Sequence, residues 1–123
     1  GCHALLANAG LTFSDLDQVI IAGAFGEYID LEKAVAIGLF PDIPRERYTF
    51  IGNGSLSGAR LAAGSRRYLE TAKDVARKIT NIELSEDQSF MDKYIAGLFL
   101  PHTDSTLFPT VTVRLEKTGK GAL

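Results

Sequence analysis

Two glycine-rich segments hold the residues whose types and spacing could do chemistry. "GAFG" (residues 23–26) follows the apolar run 19–22, and "GNGSLSG" (52–58) follows "YTFI" (48–51). In open α/β sheets, ligands settle beyond the carboxyl ends of the strands, where loops leave the sheet. A side chain at Gly23 or Gly26 would hold a ring or a phosphate away from the backbone, so glycine suits close approach there. A tight strand-to-helix turn would use the same residues. The second segment nearly matches the glycine fingerprint of dinucleotide-binding folds, with one extra residue before the last glycine. That reading needs an acidic residue at the end of the next strand, about 20 residues on. The nearest, Glu70, lies inside a helical pattern, which argues against a dinucleotide. No Gly-Lys-Ser/Thr follows either segment, so neither is a phosphate-gripping P-loop. Two such loops, with Asn53 and Ser55 as polar contacts, point to a nucleotide more strongly than either alone.

Other chemistries find less support. Adjacent Cys2 and His3 with only His102 in reserve make a poor tetrahedral metal set, and there is no Cys-x-x-Cys. An iron–sulfur cluster needs more thiolates than this chain has. Arg60, Arg66, Arg67, Arg77 and Lys78 lie near Glu70, Asp74 and Glu83 and read as a solvated helix face. The competing reading has Arg60 or Arg67 reaching a phosphate or an acidic partner protein. Glu27 and Asp30 form no paired acid/base arrangement. No catalytic residue and no metal ligand is assigned.

The elements that would position these loops follow from periodicity. A chain of 123 residues, 46% hydrophobic and 23% charged, is long enough to bury a core. Its net charge of −2 gives no general attraction to nucleic acid or an anionic membrane. No apolar run reaches membrane-spanning length, and no signal-peptide pattern is present. One cysteine excludes an internal disulfide and fits a cytoplasmic setting. The chain opens on what reads as the last turns of a helix and lacks an initiator methionine, the expectation for a fragment of a longer protein.

The opening helix ends at Gly10, and Ser14 and Asp15 can cap a short turn. Residues 19–22 are a strand covered on both faces. Asp30 caps a helix that Gly38 and Pro41 close. A second strand at 48–51 turns into a small-residue helix, and a helical period runs from Ser65 to about Ile79. "NIEL" (81–84) reads as a third strand. Ser85 and Gln88 form a capping box for a helix bearing Phe90, Tyr94, Ile95 and Leu98. "TVTVRL" (110–115) alternates as an edge strand, and the tail 116–123 reads as frayed. Strand–helix alternation makes the fold α/β.

Taken together, "VIIAGAFGEYIDLEKAVAIGLFPDIP", "FIGNGSLSGARLA" and "IELSEDQSFMDKYIAGLFLPH" resemble the C-terminal part of the reductive activators of corrinoid proteins, over about residues 5–109. The resemblance implies a parent with an N-terminal ferredoxin-like domain holding an iron–sulfur cluster, a linker region, and a two-lobed ATPase domain of the actin/sugar-kinase/chaperone superfamily. Residues 1–123 would be a single domain at the end of the second lobe. The implied fold is a partial actin-like (ribonuclease-H-like) lobe, a short, mostly parallel sheet with flanking helices. Gly23, Ala24, Phe25 and Gly26 would contact the adenosine of ATP, and Asn53, Gly54 and Ser55 would border the same cleft. The implied function is ATP-dependent return of cobalt(II) corrinoid proteins to cobalt(I) in methyl transfer. The partner would be a corrinoid protein, and homodimerisation is compatible with this. The cluster cysteines, the first-lobe phosphate loops, the Mg-binding acid and the catalytic base are absent here and are expected upstream. Two alternatives stand beside this reading. One is a dimerisation or corrinoid-protein docking module, which apolar exposure around 95–109 would favour. The other is a lobe of another actin-like kinase.

Overall fold

A computed structural model describes residues 1–86 and 89–119, with the side chains of Phe25, Glu27 and Ser85 outside that description. In chain order the elements are α1 (Cys2–Asn8), β1 (Val19–Ile21), α2 (Ala24–Tyr28), α3 (Leu31–Ala36), β2 (Tyr48–Phe50), α4 (Gly54–Gly64), α5 (Arg66–Lys78), α6 (Phe90–Ala96) and α7 (Pro109–Gly119). Short 3-10 turns lie at Phe13–Asp15, Arg45–Arg47, Leu84–Glu86 and Ser105–Leu107. The contacts divide the chain into a sheet unit (Gln18–Tyr28, Tyr48–Ile82) and a helical unit (Gly1–Asp17, Ile29–Arg47, Glu83–Leu123).

In the sheet unit, β1 and β2 pair in parallel, with Val19 opposite Tyr48, Ile20 opposite Thr49 and Ile21 opposite Phe50. Gln18 Nε2 donates to Thr49 Oγ1 at 2.6 Å and fixes the start of the register. Tyr48 is the buried anchor of this pair. Each strand feeds a helix. β1 runs through Gly23 into α2, and β2 runs through Gly52 and Asn53 into α4. Extended Ser65 (φ −151°, ψ 120°) separates α4 from α5, and the two helices pack together as a hairpin.

The helical unit buries Val35 of α3 against Phe108 and Val111, with Leu31, Phe40 and Leu107 around them. The opening and third helices run as the sequence predicts. Gly10 and Gly38 both take positive φ at the helix ends. Asp30 accepts from Lys33 N–H at 3.1 Å as an N-cap. A Cβ at Gly38 would lie 2.1 Å from Pro101 O, so only glycine lets the end of α3 approach that segment. The short turn after α1 is capped by Thr12. Its backbone N–H and hydroxyl both donate to Asp15, and its hydroxyl lies 2.7 Å from that of Ser14.

Two expected strands are not strands. Residues 81–83 are irregular and lead into the Leu84–Glu86 turn, and among the described residues the sheet has two strands. "NIEL" is apolar enough for a strand but finds no ladder to join, and a short apolar run decides nothing by itself. "TVTVRL" lies within α7. Its alternation also contains the i, i+4 pair Val111 and Leu115, and burial of Val111 against Phe108 selects the helical period. Pro109 supplies the fixed φ of a first helical position. Residues 116–119 belong to α7, whereas 120–123 lie outside the described residues. The Ser85–Gln88 capping box likewise falls on Gln88, outside the described residues. The N-cap of α6 is Ser89.

Candidate functional site

The two glycine turns meet at the carboxyl end of the β1–β2 pair. The backbone ladder continues past the strands. Ile51 N–H donates to Ile21 O at 3.0 Å, and Gly23 N–H donates to Gly52 O at 2.6 Å. Gly52 O also accepts from Gly54 N–H at 2.9 Å. Gly23 and Gly52 hold φ of +108° and +60°, conformations that side chains other than glycine's rarely adopt. A Cβ on either would meet nothing within 4 Å. Among the described residues, the backbone at Gly23 and Gly52 is therefore uncovered in the direction a side chain would take.

The remaining sequence candidates divide by role. Gly26 is buried, and a Cβ there would fall 2.8 Å from Ile21 Cγ2 and 3.6 Å from Phe50 Cδ1. It seats α2 on the sheet, a packing task. Ala24 opens α2, and the Phe25 side chain lies outside the described residues. Asn53 Oδ1 accepts from Leu56 N–H at 2.9 Å, making it the N-cap of α4. Gly54 lets the start of α4 close on the sheet, its Cβ direction leading to Ile51 and Ala22. Ser55 is exposed in the first turn. One residue escaped sequence reasoning. The sequence gives Gly52 no role of its own, yet its carbonyl joins the two turns. The signal was its place as the first glycine after a strand, matching Gly23.

The other polar constellation lies in the helical unit. Arg45 Nε donates to Glu32 Oε1 at 2.7 Å, while its Nη1 donates to Asp42 Oδ1 at 3.0 Å and to Ile43 O at 2.7 Å. Its Nη2 reaches Thr110 Oγ1 at 3.2 Å, and Arg114 Nη2 reaches Glu32 Oε2 at 2.8 Å. Asp42 accepts from Thr110 N–H at 2.7 Å and from its hydroxyl at 2.8 Å, capping α7 from 68 residues away. Burial alone would raise the Asp42 carboxyl, but the hydrogen bonds from Thr110 and Arg45 outweigh it and leave its pKa lowered. Hydrogen bonds from Arg45 and then Arg114 lower Glu32. These groups line an open cleft of about 410 Å³, but the donors and acceptors satisfy one another. The cleft is a structural joint.

Cys2 is exposed. His3 stacks obliquely on Phe13, and His102 Nδ1 accepts from Asp104 N–H. Among the described residues no group of three or more His, Cys, Asp or Glu could hold a metal ion. No described helix is long and apolar enough to cross a membrane.

A family model described as the C-terminal domain of RACo, the ASKHA domain, matches residues 1–112. The chain belongs to this family. A solved structure described as "Reductive activator for corrinoid, iron-sulfur protein" is similar to this RACo-type ASKHA domain. The match has a TM-score of 0.83 and 44% identity, covering 89% of this chain and 18% of that one. Corrinoid activation enzyme RamQ of Eubacterium limosum is 41% identical over 95 residues, 77% of this chain and 16% of that protein. The Co(II) methylated amine-specific corrinoid protein reductase of Methanosarcina barkeri is 29% identical over 96 residues, 76% of this chain and 18% of that protein. This chain thus spans less than a fifth of the length of these relatives. It has the α/β architecture of the family: a short parallel sheet with flanking helices.

Proposed function

We propose that this chain belongs to the C-terminal, nucleotide-binding lobe of an ATP-dependent reductive activator. The longer protein would return cobalt(II) corrinoid proteins to cobalt(I) during methyl transfer. The observation that carries this reading is the Gly23–Gly52 hydrogen bond. It gathers both glycine turns at one end of the sheet, in a chain whose relatives are named for corrinoid activation. Gly23, Ala24 and Phe25 would form the adenosine wall, with Gly26 packing α2 behind it and Asn53, Gly54 and Ser55 at its border. The opposing lobe, the phosphate-binding loops and the iron–sulfur cluster belong to the rest of the parent, and residues 1–123 are one part of its second lobe. Nucleotide would act by favouring one conformation or complex over another, and the parent's cluster would be the source of the electron that cobalt(II) accepts. We assign the parent to the cytoplasm, where Cys2 stays reduced.

The test is titration of an ATP analogue into the full-length parent and its Gly23→Val and Gly26→Val variants, with thermal melting alongside. Gly23→Val is expected to weaken nucleotide binding at least tenfold while the fold persists. Unchanged affinity in both variants would defeat the adenosine assignment.

A second reading makes the chain mainly a dimerisation or corrinoid-protein docking module. Leu98, Phe99 and Leu100 favour it, at 62%, 58% and 74% exposed. Sedimentation of the parent with Phe99→Asp separates the two readings. A dimer that falls apart with nucleotide affinity intact supports this module.

A further inference from the structure

We propose that the α4–α5 hairpin presents a basic docking face, centred on Arg66 and Arg67, for an acidic surface of the corrinoid protein. The inference rests on the corrinoid-activation reading and adds to it the surface used.

Charge is unevenly distributed along the chain. The sheet unit carries six Lys/Arg against three Asp/Glu, and the helical unit seven against twelve, a contrast hidden by the net charge of −2. Five of the six basic residues lie on α5 and the sixth on α4. Two carboxylates on α5 are already engaged. Glu70 pairs with Lys73 at 3.0 Å and Asp74 with Arg77 at 2.9 Å. Among the described residues, Arg60, Arg66, Arg67 and Lys78 have no ion pair, and all are exposed.

Lys78 sits where a helix favours cations, at the C-terminal end. Arg66 and Arg67 do not. They occupy the first turn of α5, which has no acidic residue and no side-chain cap. A helix N-terminus carries partial positive charge, so local stability favours Asp or Glu there. Two arginines placed against the helix dipole, without a partner, are a local conflict that helix formation does not explain. Exposed arginine is the charged residue enriched in protein interfaces. Glu70 and Asp74 within the same helix dilute the charge that a polyanion or an anionic bilayer would require.

The experiment measures association of the full-length parent with its corrinoid protein by stopped flow, between ~50 mM and ~500 mM salt. The variants are Arg66→Glu/Arg67→Glu and the milder Arg66→Gln/Arg67→Gln. Rim charges act mainly on the association rate and its salt dependence. The Glu pair is expected to slow association about tenfold at low salt, the difference closing as screening shortens the Debye length. The Gln pair should fall between, and ATP-analogue affinity should not change. Association unchanged in both variants overturns the proposal. A lowered melting temperature with unchanged association reassigns the face to the parent's own remainder and overturns it too. So does binding to phosphatidylserine vesicles that the Glu pair abolishes while corrinoid association is kept. A wild-type parent that does not bind the corrinoid protein refutes the functional reading itself, and the docking face with it.

Discussion

Gly23 and Gly26 stand three positions apart and do different work. Gly23 is glycine because of its φ of +108°, with open space beyond it; Gly26 is glycine because Ile21 lies where its Cβ would go. Gly26→Ala should therefore destabilise the sheet unit by about 1–3 kcal/mol through overpacking, read as faster amide exchange in β1 and α2 of the parent. Asn53→Ala should cost about 1 kcal/mol by removing the α4 cap, and Asn53→Asp should keep most of it. If Asn53→Ala also weakens ATP-analogue binding while Asn53→Asp does not, the cap is what shapes that border of the site. Sequence alone raised all of these residues but could not rank them. A glycine that makes room for a ligand and one that makes room for a helix look alike until the backbone angles and neighbours are known. Asn53 likewise offered a polar contact, whereas its oxygen is taken by Leu56 N–H.

The joint at Asp42 gives the element scale its sharpest prediction. The Asp42 side chain is fully buried and accepts from Thr110 and Arg45, so it holds the first turn of α7 and the loop before β2 together. Asp42→Asn leaves Arg45 short of a charge partner and weakens the cap. Amide exchange across the start of α7 should quicken at least tenfold, equivalent to about 1.4 kcal/mol. The folded pKa values of Asp42 and Glu32 are lowered, so the stability they contribute is present above the ordinary carboxylate range and lost as pH falls through the folded values. Protection factors at α7 in the wild type should accordingly fall below about pH 4, while in Asp42→Asn that acid-dependent fall should be smaller. This joint also explains what the sequence hid. "TVTVRL" has the β-branched alternation of a strand, and nothing local reveals that a carboxylate 68 residues earlier caps it as a helix. The glycine-ended strands and the Asp30-capped helix were legible because their signals are local. Helix α7 was not, because its cap and its core contacts are distant in sequence.

At the scale of the molecule, the sheet unit is sparsely buried. Neither α4 nor α5 has a fully buried residue, and Ile20 in the middle of β1 is 58% exposed. Parallel strands ordinarily have both faces covered, and this chain spans less than a fifth of its relatives. The proposed function therefore has to be tested on the parent. Cobalt(II)-to-cobalt(I) conversion of the corrinoid protein should need both a reduced cluster and ATP. Conversion that proceeds equally fast without nucleotide would remove ATP from the scheme and leave electron transfer in place. Family membership was readable from three short stretches of sequence because their order and spacing are specific. The segregation of charge between the two units was not, since a net charge of −2 averages it away.

The hydrogen bond from Gly23 to Gly52 joins one peptide group directly to another. Side-chain exchange elsewhere cannot delete it, so the two turns keep their spacing through sequence drift so long as each can hold its backbone angles. Only an edit to the main chain separates them, such as Gly23→Pro or an ester oxygen in place of the Gly23 amide nitrogen. An ester-substituted parent would thus ask whether nucleotide affinity depends on the turns being held as a pair, with every side chain left in place.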